Sequence, residues 1–409
     1  MRAPDNLARM RTWITATRWR WIGAALVAAL AACHTAPPPT AAGPPTTTAA
    51  PPSLPARSPS PSSSVPADCV TATLGRLSLA ERAGQLLMVG VAVDAPDRLG
   101  TTVRRYHLGG VFLHGRSTRR AADLRDDLGE LQDRAALPLL ISLDQEGGSV
   151  QTLKGPDFPL IPSALRLGAG SAATLRATTR DAARRLAAIG VTVNLAPVAD
   201  TVPAALGADN PPIGAFHRQY GSDPGQVAAD IRTVVSASRD AGVLTVLKHF
   251  PGLGRVRVNT DTSTGAIDAT ASTGDPYLEP FAAGIRAGSA AVMISSASYP
   301  RLDPTAVAAF SRPIVTGLLR ERLGFRGLVV SDDLGAARAV SGVPVGARAV
   351  RFVAAGGDLV LTIRPQDAAP MAAALIARAE KDQAFQGRVA DAARHVLIAK
   401  QRAGLLRCG

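Results

Sequence analysis

Aromatic residues make up only 4% of this 409-residue chain, and all three tryptophans (Trp13, Trp19, Trp21) fall within its first 21 residues. Those tryptophans therefore say nothing about the folded body. The arginines of the body are scattered singly along helix-like segments with no interleaved aromatics, which argues against a nucleic-acid partner despite the formal net charge of +13. Histidine is scarce, and the body's His107, His114, His217, His249 and His395 lack metal-ligand spacing, so neither a metal site nor a cofactor is expected. No Gly-rich phosphate fingerprint follows the first strand-like run, which disfavours a doubly wound dinucleotide fold. The one apolar run of the N-terminus, Trp21 to Leu30, is too short for a membrane span.

What is present starts with an address. Arg2, Arg9, Arg11, Arg18 and Arg20 precede that apolar run, which ends in Leu30-Ala31-Ala32-Cys33. Residues 1–33 read as an export signal whose Cys33 resembles a lipobox cysteine, the lipidated first residue of the mature chain. A plain secretory signal with a chance cysteine is the alternative. Residues 34–66 are almost wholly Pro, Ala, Thr and Ser, a composition that cannot bury enough apolar surface to fold, so they form a tether. The expected location is the outer face of the cell membrane, held there by lipid. Cys69 and Cys408 bracket the remaining body and invite a disulfide between its ends, with two free thiols as the alternative.

From residue 67 to 409, short apolar runs alternate with longer amphipathic stretches. The strand candidates are 85–91, 109–113, 139–143, 191–197, 243–247, 290–294, 328–330 and 358–363. Helix-like segments fall at 119–134, 172–189, 224–241, 276–287 and 306–323. Eight such alternations predict a (β/α)8 TIM barrel formed by one catalytic-type domain. Four of the strand candidates run into polar clusters: Asp144-Gln145-Glu146, the stretch to Asp200, Lys248-His249, and Ser331-Asp332-Asp333. Any single polar strand end is ordinarily solvated. Four of them at one barrel mouth suit a sugar, because carboxylates and amines bond hydroxyls and a carboxylate can attack an anomeric carbon.

The motifs ISLDQEGGSVQTL, LAPVADT, NPPIGAFHRQYGSDP, LKHFPGLG and VVSDDL, in that order, resemble the N-terminal barrel of glycoside hydrolase family 3. The chain is most similar to that family's single-domain bacterial β-N-acetylhexosaminidases. The resemblance implies a retaining glycosidase acting on cell-wall or envelope glycans, with a carbohydrate as its partner. By position, Asp332 matches the nucleophile, while Asp144, Lys248 and His249 match sugar-binding residues. Arg218 matches the arginine after an Ile-Gly pair, although the loop here is two residues longer. Asp200 and Glu146 sit in family motifs where a structural role is at least as natural, and Asp333 could equally be a helix N-terminal anion rather than a catalytic group.

The departures are as informative. In these relatives the loop after the Lys-His strand end carries Asp-Ser-His, whose histidine is the general acid/base. Here the loop holds Asn259, Thr260, Asp261, Thr262 and Ser263 and no histidine. A gap-free alignment puts Asp261 on the histidine; a two-residue insertion puts Ser263 there. Leu253, Ser149, Thr152 and Ser296 also replace family His or Arg residues. Protonating a leaving oxygen is worth about 10²–10⁴-fold, and a serine hydroxyl is too weak an acid to do it. Asp261 could serve if burial or a nearby carboxylate raised its pKa. The rival class is a slow or non-catalytic barrel that binds glycan without cleaving it.

Overall fold

Parity along each strand decides which side chains face the barrel axis, because successive residues of a strand point to opposite faces. The computed structural model describes residues 69–406, which belong to one compact unit. The signal with Cys33, the tether and Cys408 lie outside the described residues. Cys69 itself is disulfide-bonded. Eight parallel strands form the central sheet. They are β1 (Leu87–Ala92), β2 (Gly110–His114), β3 (Leu140–Leu143), β4 (Val193–Asn194), β5 (Leu244–Phe250), β6 (Ala291–Ile294), β7 (Leu328–Ser331) and β8 (Val360–Thr362). Their order is β7-β6-β5-β4-β3-β2-β1-β8. A parallel bridge from Val330 to Leu359, with Ser331 N–H donating to Leu359 C=O at 3.0 Å, brings the two edges together. The expected (β/α)8 barrel is the observed fold.

Two apolar layers follow from the parity. Met88, Phe112, Leu140, Val193, Val246, Met293, Val330 and Leu361 fill the barrel interior. Val89, Val111, Ile141, Leu247, Val292, Val329 and Val360 face outward, against residues such as Leu124, Leu128, Ile231, Phe281, Phe352 and Leu375 of the surrounding helices. Gly90, on the inward parity of β1, has the Ile363 backbone so close that a Cβ would lie 2.6 Å from it. Strands buried on both faces explain why these runs are continuously hydrophobic rather than alternating.

The boundaries depart from the sequence expectation in several places, such as β5, which runs on to Phe250. Gln85 ends the helix Leu79–Gln85, which a Ser78–Glu81 capping box starts, so β1 begins two residues later than the candidate run. The candidate 191–197 contributes only Val193–Asn194 to the ladder, and Pro197 has no N–H to extend it. The stretch 306–323 is not one helix: Asp303–Val307 pairs as a strand with Ser298–Tyr299, and a π-helix follows over Pro313–Arg322.

The helix Gln383–Arg402 closes the floor of the barrel, with Val396 and Ala399 packed into the interior cluster. Beside them Lys400 is fully buried, and its Nζ donates to Gln85 Oε1. Burial without an anionic partner pushes this ammonium down to about 7. The folded-state pKa is therefore depressed relative to about 10.4 for an unfolded lysine, and between those values only the unfolded chain holds the proton. Stability should rise with pH across that window. Urea unfolding at pH 6.5, 7.5 and 9 should show this gain, and Lys400→Met should remove about 1.4 kcal/mol per pH unit of slope. An unchanged slope would exclude the lysine as its source.

Candidate active site

The inward parity of the strands continues past their C-terminal ends into chemistry. Asp144 follows Leu140 and Ser142, Lys248 follows Val246, and Asp332 follows Val330, so each points toward the axis above the apolar fill. All three line a cavity of about 320 Å³ at the barrel mouth. Arg218, His249, Asn259, Thr260 and Asp261 line it as well, as do Phe112, Leu195, Met293, Leu361 and Ile363. Every catalytic and sugar-binding residue expected from the sequence thus lies in one cavity. An apolar floor under a polar rim is a common composition for a small-ligand site.

Charges in the site are paired through one buried carboxylate. Glu146 accepts Arg218 Nε at 2.8 Å and Nη2 at 2.7 Å, and its Oε1 is 2.6 Å from Lys248 Nζ. Lys248 Nζ also donates to Asp144 Oδ1 at 2.6 Å. Burial alone would raise Glu146, but the charges of Arg218 and Lys248 and their hydrogen bonds hold it down at about 2. Burial would likewise lower Lys248, yet Asp144 and Glu146 raise it. Both cations stay charged, and Arg218 Nη1 is further fixed by the Pro212 carbonyl at 2.8 Å.

His249 is oriented by Asp200. The fully buried carboxylate lies 2.7 Å from His249 Nδ1 and accepts the backbone N–H of His249 and of Leu253, the latter at 2.7 Å. This leaves Nε2 as the nitrogen free to meet a ligand. Asp200 and Glu146 thus act through His249, Arg218 and Lys248, and their structural alternative is the role the geometry supports.

The two neighbouring aspartates after β7 are distinguished by their bonds. Asp333 accepts Gly335 N–H at 2.8 Å, Ala336 N–H at 3.0 Å and Ile363 N–H at 3.1 Å, so it caps the following turn and ties it to β8. Burial raises it in spite of these donors. Both aspartates line the cavity, but Asp332 accepts only one backbone bond, from Asp333 N–H at 2.9 Å. Of the pair, Asp332 has the carboxylate available for attack.

The loop after β5 is anchored at both ends. Arg255 bonds Asp268 at 2.8 Å, pairs with Asp275, and lies 4.5 Å from the Tyr277 ring centroid. Gly254 backs so closely onto the Thr201 carbonyl that a Cβ would sit 1.8 Å from it. Further on, Asn259 Oδ1 accepts Asp261 N–H at 2.8 Å, closing an Asx turn. Thr260 and Asp261 carbonyls accept Ala339 and Arg338 N–H at 3.1 and 3.2 Å, from the loop that also carries Asp332. Asp261 is therefore the loop's carboxylate at the cavity, while Ser263 is not among the lining residues. Its surface is open through the cavity mouth, yet protein crowds it. Desolvation first, and then the negative charge of Asp332, raise its pKa above the ordinary carboxylate range.

The sequence matches the glycosyl hydrolase family 3 N-terminal domain over residues 78–399. The chain belongs to glycosyl hydrolase family 3. A β-hexosaminidase from Xanthomonas oryzae is 34% identical over 315 residues, covering 74% of this chain and 88% of that protein. The crystal structure of a β-N-acetylhexosaminidase from Beutenbergia cavernae superposes with a TM-score of 0.78 at 45% identity, over 80% of this chain and 99% of that one. A family 3 β-N-acetylglucosaminidase from Paenibacillus gives a TM-score of 0.74 at 31% identity, over 81% and 64% of the two chains. This family 3 barrel is thus a glycosidase with a carbohydrate substrate.

Sequence reasoning undervalued the apolar floor and Glu146. Both could have been found from parity: Phe112, Leu195, Met293 and Leu361 share the inward register of the charged residues, and Glu146 lies two residues past Asp144. Removing Glu146 leaves the buried Arg218 without its carboxylate partner and Lys248 with Asp144 alone. Glu146→Ala should cost roughly 3–5 kcal/mol of stability in denaturant unfolding. Because the folded-state pKa is depressed, the wild-type contribution exists above the unfolded value of about 4.3 and disappears as pH falls from there toward 2. A variant as stable as the wild type at pH 7 would contradict this pairing.

Proposed function

We propose that this protein removes β-linked N-acetylhexosamine residues from cell-wall or envelope glycans by a retaining double displacement. The observation that carries the mechanism is that one cavity holds an available carboxylate, Asp332, and a second one, Asp261, whose pKa is raised by desolvation and by the charge of Asp332. Two carboxyl groups with separated roles are what such chemistry needs. The substrate preference rests on the β-hexosaminidase relatives.

A terminal sugar enters the cavity with its hydroxyls against Asp144, Lys248, Arg218 and His249. Asp332 Oδ attacks the anomeric carbon as the bond to the leaving oxygen breaks, and Asp261 donates its proton to that oxygen. A glycosyl-enzyme ester results. Asp261, now ionised, takes a proton from water, whose oxygen attacks the same carbon and frees Asp332. The free sugar leaves with its configuration retained. The raised pKa of Asp261 keeps the acid loaded at a pH where an ordinary aspartate would be empty.

The amino-terminal sequence supports a lipid anchor at Cys33 and a tether over 34–66, placing the barrel on the outer face of the membrane, close to such glycans. Cys69 with Cys408 would clasp the ends of the barrel.

With an aryl β-N-acetylglucosaminide, turnover by the full chain should vanish in Asp332→Ala. Saturable sugar binding with no turnover by the wild type would instead favour the non-catalytic barrel. With an unactivated disaccharide, Asp261→Ala should lose about 10²–10⁴-fold in kcat/KM, and azide should restore activity on the aryl glycoside. Wild-type kcat/KM should fall as pH rises through the raised pKa of Asp261, because the protonated form is the working acid. Asp261→Asn should lack that alkaline limb. A limb that persists in this variant would remove Asp261 from the role.

A further inference from the structure

Among the described residues only three large hydrophobic side chains are strongly exposed, and one is an aromatic: Phe216, at 47%. In a chain this poor in aromatics, its position matters more than its exposure. It lies between Pro212 and Arg218, both of which line the cavity, in the loop that is two residues longer than the motif it resembles.

The backbone under this ring is held on every side. Asn210, fully buried, accepts the N–H groups of Ile213 and Gly214 at 3.0 and 2.8 Å, and donates to the carbonyls of Leu253 and Val256 at 2.8 Å each. Those last two residues belong to the loop that carries Asp261. Phe216 and Arg218 N–H both donate to Ile213 C=O at 3.2 Å, and His217 adopts φ +54° to end the turn. Leu165 N–H donates to the His217 carbonyl at 3.3 Å.

From across the barrel rim, Ser149 Oγ donates to the Phe216 carbonyl at 3.3 Å, and the exposed Arg116 donates to the Ser149 carbonyl at 3.1 Å. Ser149 stands where the resembled motif has an arginine. The lengthened loop and the lost arginine are therefore one spatially joined change, and its result is an exposed ring on a fixed turn between two cavity-lining residues, Pro212 and Arg218. Folding leaves that ring in water, where burying it against an apolar surface would be favourable. The faces of a pyranose ring present C–H groups that meet an aromatic face in that way.

We propose that Phe216 is a stacking platform for a second sugar ring, the one adjoining the residue held in the cavity. The ligand class is a β-linked oligosaccharide of at least two sugars. Its first ring is held by Asp144, Lys248 and Arg218, and its second is covered by Phe216, within reach of Arg116 for its polar groups. The proposal rests on the reading that the cavity takes a terminal N-acetylhexosamine.

Binding tests it without needing turnover. Calorimetry on the full chain carrying Asp332→Asn would compare N-acetylglucosamine with its β-1,4-linked disaccharide, with Phe216 intact, as Phe216→Ala and as Phe216→Trp. The expected result is a disaccharide Kd about tenfold weaker in Phe216→Ala, recovered in Phe216→Trp, with the monosaccharide Kd little changed. An unaltered disaccharide Kd, or equal weakening for both sugars, overturns the platform while leaving the cavity reading intact. No binding of either sugar with Phe216 present overturns both.

Discussion

The site depends on one buried carboxylate. Two cations, Arg218 and Lys248, stand at the mouth of an apolar barrel, and Glu146 bonds both at 2.6 to 2.8 Å while Asp144 supplies the second negative charge through Lys248. Because Glu146 stays ionised, both cations stay charged and fixed in place. Sugar hydroxyls then meet donors that need no reorganisation on binding. The barrel supplies what this arrangement needs, since three different strands and loops must deliver Glu146, Lys248 and Arg218 to one point.

The same economy of placement governs the chemistry. Asp332 and Asp333 are adjacent in sequence, and their roles are separated by hydrogen bonds alone. Three backbone N–H groups commit Asp333 to the turn, and Asp332 is left to the cavity. Asp261 arrives from another loop, and backbone bonds from residues 338 and 339 hold that loop against the one bearing Asp332. Asp261 and Asp332 are thus linked through their loops as well as by charge. In the loop where the resembled motif carries a histidine, this chain has Asp261, whose pKa is raised by desolvation and by the negative charge of Asp332 although its surface is open to the cavity mouth.

Much of this was legible in the residues. Alternating apolar and amphipathic stretches implied the barrel, and polar clusters at four strand ends implied where its site lies. Period-2 counting from Val246 to Lys248 and from Val330 to Asp332 already puts both on the axis side. Other features were not legible. Propensity does not show that residues 313–322 wind as a π-helix, or that Gln85 ends a helix instead of starting a strand, since tertiary packing decides such boundaries. Nor could spacing choose between Asp261 and Ser263 as the residue at the cavity, because that choice turns on an Asx turn at Asn259 and on partners almost eighty residues away.

By itself the sequence determined the strand–helix alternation, the family, the place of Asp332 at a strand end and the absence of a histidine from residues 259–263. Each of these is local, carried by a few consecutive residues and their parity. Tertiary structure alone decided that Glu146 serves two cations, that Asp333 is tied up by three backbone donors while Asp332 has one, that Asp261 and Asp332 line one cavity, and that Phe216 is left exposed on a fixed turn. Those outcomes depend on distances between segments far apart in the chain, and only closure of the barrel sets such distances. The stretch from Lys248 to Ser263 shows both kinds of information: the place of its first two residues at a strand end is read from position, and that of Asp261 at the cavity only from what folds against it.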